Sequence, residues 1–332
     1  MMGLMVVLPS MGPLHVTQPR YNAVSLLRQL ELRNPKMVYI ASYSPEGIAQ
    51  KVWRDQHDLA MFALVPWAEE SGVRLEAMGK NAEALQQEAE HFLEYLGSMP
   101  RGEGYKKKFQ EADRAIVELL TISRLPEDYA ATTFIEELRD RLNVVRELAG
   151  EGPATGFRAE RMAQIAEFLT RKHQPEAVVV VDVLDYPVLL EYLSDAEGPV
   201  ALEPNEEERA RAVMDRAWRL EEEDAWGNLL GQLMEIPQAE ARFLAAQIYL
   251  AAGQVDDALA LMEEVSRGDF SRPEYLPGYV LARLGQLYDL TGRRDRALRA
   301  YRGLLALSWA PAETREIAAA GLRTPFRPSP AG

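Results

Sequence analysis

The chain has 332 residues, a formal net charge of −14 and no cysteine. That length supports two separate cores, the acidity argues against a duplex nucleic-acid binder, and the lack of cysteine excludes disulfides, thiolate metal sites and cysteine nucleophiles. No stretch approaches the roughly 20 apolar residues of a membrane span. Met1–Leu8 lacks the basic residues and length of a secretory leader, so a cytoplasmic protein with no membrane and no nucleic-acid partner is expected.

From the N-terminus, Leu4–Leu8 is a short apolar run that suits a strand buried on both faces. The loop Pro9-Ser-Met-Gly-Pro-Leu-His15 follows. Pro19 stands where a helix can begin, and Val24, Leu26, Leu27 and Leu30 carry it on to Asn34-Pro35. Met37–Ala41 is then a second strand, which makes a βαβ unit with a parallel pair and a right-handed crossover. Pro45–Gly47 opens a loop. Asp58–Trp67 reads as a helix that Val65-Pro66 stops early, and Val73–Met78 alternates as a third strand. Three amphipathic stripes come next, running from Leu85 to Leu96, from Phe109 to Leu120 and from Phe134 to Leu148. The lysines Lys106–Lys108 read as a solvated helix start.

From Arg158 the pattern sharpens. Met162, Ile165, Ala166 and Leu169 recur at helical spacing, Pro175 breaks it, and Ala177–Val183 is a continuous apolar run rich in β-branched residues. Asp182 and Asp185 stand at the end of that run, and Pro187–Leu193 reads as another helix. The alternation predicts an α/β fold, a mostly parallel sheet with flanking helices, whose site lies beyond the carboxyl ends of the strands. His15, Asp182 and Asp185 form the candidate constellation there, because an imidazole and two carboxylates can hold a divalent ion with an open position for water. His57-Asp58 offers further donors. The plain structural reading of the same residues is that His15 caps a loop and Asp185 caps the helix opened by Pro187. His91 and His173 fall on charged helical faces and read as solvated.

The strand, the Gly12-Pro-Leu-His15 loop, the helix and the second strand together resemble the opening of the TraB/PrgY–GumN–Tiki families, related in fold to the ChaN and erythromycin-esterase-like group. Those families carry Arg-Asn-x-x-Met on a later helix, then a strand ending in Gly-x-Gly-His. Arg158-Ala-Glu-Arg-Met162 is similar to the first, with Ala159 in place of Asn, and Val178–Val181 is similar to the strand. Asp182-Val-Leu-Asp185 stands where Gly-x-Gly-His is expected, and Ala41 where the families have a carboxylate. The resemblance covers residues 1–198 and implies an α/β domain with a helical insertion. It implies a metal-dependent peptidase site of which His15 and Arg158 carry over, with Asp185 in the place of the second histidine. Losing an imidazole and a carboxylate implies a degenerate site, so no cofactor and no tightly held metal are expected.

Past the polar hinge Glu197–Pro204 the chain becomes helical. Residues 199–237 read as two bridging helices, Glu206–Leu220 and Ala225–Ile236, separated by the acidic Glu221–Asp224. An internal repeat occupies 238–322. Aligning Gly253 with Gly292 also aligns Tyr249 with Tyr288, Ala258 with Ala297, and Met262 with Tyr301. Small residues at Gly285 and Ala297 let paired helices approach, Tyr288 fills between them, and Gly292 makes the turn. Leu284-Gly285, Tyr288, Ala297, Tyr301 and Pro311 thereby resemble a tetratricopeptide repeat, and the resemblance implies a concave groove for a protein or peptide. The first helix of each hairpin would line it, directing Arg242, Gln247, Arg283, Gln286 and Asp289 towards a partner. Residues 323–332 form a loose, proline-rich tail.

The expected function is therefore a protein-interaction adaptor or scaffold, built on a degenerate α/β domain with a repeat docking module. Its partner would be a protein or peptide, or a second copy by self-association. The first alternative is a metal-dependent hydrolase with His15, Asp185 and Arg158 in its site and a metal on His15, Asp182 and Asp185. The second is a regulatory protein that binds a small ligand at the strand ends. No glycine-rich phosphate loop or serine elbow supports a nucleotide enzyme or a serine hydrolase.

Overall fold

A computed structural model describes residues 5–79, 91, 94, 102–149, 156–172, 176–193, 195–221 and 225–327. The stripe from Leu85 to Leu96, His173 and the end of the C-terminal tail lie outside the described residues, apart from exposed positions His91 and Glu94. The chain divides into two compact units, Met1–Glu208 and Arg209–Gly332. Among the described residues no helix is long and apolar enough to cross a membrane.

The first unit is built on five parallel strands: β1 (Met5–Ser10), β2 (Met37–Ile40), β3 (Arg74–Ala77), β4 (Ala177–Asp182) and β5 (Ala196–Glu197). They lie in the order β3-β2-β4-β1-β5. The four runs expected from the sequence are all in this sheet. The two-residue β5 is too short to carry a periodic signal. Its helices are α1 (Ala23–Arg33), α2 (Pro45–Gln50), α3 (Leu59–Ser71), α4 (Gly102–Thr121), α5 (Thr132–Ala149), α6 (Gly156–Lys172) and α7 (Tyr186–Leu190).

Strand alternation sorts the helices between the two faces. Val7, Tyr39, Val179 and Val181 pack with Met162, Ile165 and Leu169 of α6 and with Tyr186 and Leu189 of α7. Leu8, Val38, Ile40, Val178 and Val180 are equally buried and point the other way, where α1 and α3 contact β1, β3 and each other. A sheet covered on both faces accounts for the unbroken apolar runs.

Local chemistry sets the helix ends. The Asn22 side chain accepts from the Val24 and Ser25 amides to start α1, and Asn34 ends it in a left-handed conformation. Asp58 starts α3 by accepting from the Met61 amide at 3.2 Å. That helix does not stop at Val65-Pro66. It continues through Pro66 to Ser71 and ends at Gly72, at φ +71°. An internal proline costs about 3 kcal/mol, and the burial of Met61, Phe62, Leu64 and Ala68 offsets that cost. The segment from Pro45 is a short helix rather than a loop, because Ser44 accepts from the Gly47 amide.

The second unit is helical: α8 (Glu206–Arg219), α9 (Trp226–Glu235), α10 (Ala239–Ala251), α11 (Val255–Val265), α12 (Leu276–Leu290), α13 (Arg294–Leu305) and α14 (Ala312–Arg323). Helices α10 and α11 pair, as do α12 and α13. The internal repeat extends to the turns. Gly253 and Gly292 both have positive φ, and the next amides, Gln254 and Arg293, donate to Tyr249 O at 2.8 Å and Tyr288 O at 2.7 Å. The aligned pairs Ala258/Ala297 and Met262/Tyr301 are all fully buried.

Tyr301 sits where a Cβ on either Gly285 or Gly321 would overlap its ring. Gly285→Ala therefore forces overpacking between α12 and α13, with an expected loss of about 1–3 kcal/mol. Denaturant unfolding should show a lower midpoint for the variant; an unchanged midpoint would contradict this packing.

Candidate functional site

Chain direction identifies the crevice of the sheet. From β1 the chain crosses to β2 on one side, and from β4 it crosses to β5 on the other. These adjacent strands form the switch point where α/β sheets open a crevice at their carboxyl ends. Ser10 pairs with Asp182, and the Val183 amide donates to Ser10 O at 2.8 Å. The loop carrying His15 and the turn carrying Asp182 and Asp185 thus start side by side, as the sequence suggested.

The side chains there are engaged with their own fold. His15 lies in a tight turn, Gly12–Thr17, and is fully buried. Its Nε2 accepts from the Met11 amide at 3.1 Å, and its Nδ1 lies 2.8 Å from Tyr21 O, which only accepts. Both bonds are made by the neutral Nδ1–H tautomer, and burial lowers the imidazole to about 4. Neither nitrogen retains a lone pair for a metal. Ser10 Oγ accepts from the Gly12 amide at 3.2 Å.

Asp185 does not cap α7 with its side chain. It is buried, and two arginines of α6 hold it: Arg158 Nε lies 2.9 Å from Oδ1, and Arg161 Nη2 contacts Oδ2. The pair locks α6 onto the turn after β4. Arg161 is the member that sequence reading missed; its signal was its place three residues after Arg158 on the same helix face. Asp182 accepts from the Leu184 amide at 2.8 Å. Burial first, and then the neighbouring Asp185, push its carboxyl up to about 6, against the pull of Arg158. Asp58 accepts from the Tyr43 hydroxyl at 2.8 Å as well as capping α3, and burial raises its carboxyl. Among the described residues no three His, Asp or Glu side chains group closely enough to hold a metal ion.

In the second unit the expected docking residues divide. Asp289 turns inwards: its side chain is fully buried, paired with Arg294 at 2.8 Å, and accepts from the Tyr301 hydroxyl and the Phe326 amide. Arg242 bridges to Glu264 at 3.0 Å and donates to Pro237 O at 3.1 Å. Gln286 is buried, and its Oε1 accepts from Arg283 Nη1 at 2.8 Å. Arg283 is half-buried, and burial alone lowers its guanidinium. Among the described residues no carboxylate pairs with it. Gln247, aligned with Gln286 in the repeat, has its Nε2 out of water with no acceptor.

The chain matches no protein-family model, no curated protein sequence and no solved structure.

The strand-end groups set an opposed pH dependence. Between 3.8 and about 6 the folded Asp182 binds its proton more tightly than the unfolded chain does, so its contribution to stability falls as pH rises through that window. His15 titrates at about 4 when folded against 6.5 when unfolded, so its contribution rises over the same range. Asp182→Asn removes the first effect and leaves the second. Urea unfolding across mildly acid pH should give the variant a steeper rise than wild type and greater stability at neutral pH. Parallel curves would contradict the buried carboxyl.

Proposed function

We propose that the chain is a protein-interaction adaptor. Its helical unit, of tetratricopeptide type, docks a carboxylate-bearing segment of a partner protein. Its TraB-like α/β unit is a scaffold whose strand-end polar groups serve the fold. The observation that carries this reading is Arg283. In the same unit Arg211, Arg242, Arg294 and Arg296 each face a carboxylate, whereas Arg283 is half-buried with only a glutamine oxygen. A guanidinium withdrawn from water without a counter-ion gains most from an anion supplied in trans, and its planar fork suits a carboxylate.

The Gln286 contact and the paired hairpins support it. Gln286 accepts from the guanidinium and orients it. Stacked helical hairpins present extended binding faces. The hydrolase reading has less support, since His15 has both nitrogens engaged and Asp185 is held by two arginines.

A display library of short peptides, selected on the full chain, tests the docking role. Enriched peptides should share an Asp, a Glu or a free C-terminus, and neutralising that group or making Arg283→Gln should weaken binding about tenfold or more, roughly 1.4 kcal/mol. Selected peptides with no charge preference that bind Arg283→Gln as tightly as wild type would move docking off this face.

A further inference from the structure

Helix α12 is buried along most of its length, and Tyr279, Arg283 and Leu290 form one of its partly exposed stripes. Spacings of four and seven put these three side chains on one face. Positions between them, such as Val280 and Leu287, are buried. Arg283 is the charged member of the stripe. Its Nη1 donates to Gln286 at 2.8 Å. Its Nε and Nη2 have no hydrogen-bond partner among the described residues and are not shut off from water, so an incoming chain can reach them.

An apolar surface adjoins the guanidinium. Tyr279 stands one helical turn before Arg283, and its ring lies 5.1 Å, centroid to centroid, from that of Trp218 on α8. Both residues are partly exposed. Their polar atoms are taken: the Tyr279 hydroxyl donates to Glu313, and Trp218 Nε1 donates to Glu240 at 2.6 Å. What they offer an incoming chain is ring surface. Trp218 also packs 5.5 Å from the Phe243 ring, so this surface is held in place before anything binds. Aromatic rings beside an arginine are the residue types in which interface hot spots are enriched.

We propose that the segment docked at Arg283 is extended and carries a bulky apolar residue two positions from its carboxylate, with the apolar side chain resting on the rings of Tyr279 and Trp218. One helical turn sets the Cβ atoms of Tyr279 and Arg283 about 5–6 Å apart. In an extended chain, side chains two residues apart point the same way and lie about 6.5 Å apart, whereas adjacent ones point to opposite sides. The spacing on α12 therefore selects the second neighbour of the acid. This inference rests on the docking role of Arg283 and adds the apolar anchor that a charge contact alone lacks.

A display library with a fixed central glutamate and randomised flanks, selected on the full chain, tests it. Leucine, isoleucine, methionine or an aromatic residue should be enriched two positions from the glutamate on one side, and not next to it. Replacing that residue with serine in a selected peptide should weaken calorimetric binding to wild type about tenfold. The same replacement should matter little to Tyr279→Ser, whereas Tyr279→Phe keeps the ring and should behave as wild type. A benzophenone side chain at that peptide position should crosslink wild type on α8 or the first turn of α12, which locates the anchor even if Tyr279→Ser does not fold. Acidic peptides that lose binding to Arg283→Gln but show no apolar preference, bind Tyr279→Ser as tightly as wild type, or crosslink elsewhere would overturn the anchor and leave the docking reading standing. No enrichment on wild type, or undiminished binding to Arg283→Gln, would overturn both.

Discussion

A carboxylate taken out of water costs several kcal/mol unless a cation and hydrogen bonds meet it, and each unit is arranged around one such group. In the first it is Asp185, clasped by Arg158 and Arg161, which fixes α6 against the turn after β4. The ion pairs tie the turn after β4 to α6. In the second it is Glu240, which is buried and receives both Nη atoms of Arg211, at 2.9 and 3.0 Å. Trp218 Nε1 donates to it at 2.6 Å and the Tyr275 hydroxyl at 2.9 Å. One carboxylate thereby ties α8 to α10 and to the residue preceding α12. Arg211 also holds Asp215 at 2.8 Å, where burial still pushes the carboxyl up to about 6.

Against this rule the exceptions are informative. Arg283 has no carboxylate among the described residues, the buried donors Arg139 Nε, Arg141 Nε, Arg161 Nε and Gln247 Nε2 have no hydrogen-bond acceptor, and Asp185 Oδ1 has no hydrogen-bond donor. Unmet buried donors are rare in folded chains. The half-buried guanidinium of Arg283 supports the docking proposal. The groups that looked most chemical in the sequence are tied to the fold: His15 has both ring nitrogens bonded, and Asp185 is ion-paired with two arginines.

Much of the sheet was legible because burial on both faces leaves an unmistakable run such as Val178–Val181, and β1 and β2 carry shorter versions of it. The repeat was legible because Gly253 and Gly292 mark a turn that only certain residues enter easily. What escaped was decided by tertiary partners. Pro66 is a local stop signal overruled by the buried face of α3. Arg211, Asp215 and Glu240 have the spacing of ordinary solvated helix charges, and only the packing of three elements buries them together. Asp289 looked free for a partner because nothing in its neighbourhood announces that Arg294, Tyr301 and the Phe326 amide converge on it. At the strand ends the sequence correctly brought His15, Asp182 and Asp185 to neighbouring turns, but their hydrogen-bond partners are backbone groups and arginines that no residue pattern specifies.

The central claim is that the strand-end polar groups hold the fold and do not await a substrate or an ion, and the protonation of His15 tests it most directly. Nitrogen-15 NMR of the imidazole reads both the tautomer and the titration. The structure requires a neutral Nδ1–H ring across neutral and mildly acid pH, protonated only near about 4, with signals unmoved and unbroadened by added Mn²⁺. An imidazole that titrates close to its ordinary 6.5, or whose signals broaden selectively when Mn²⁺ is added, would contradict the account.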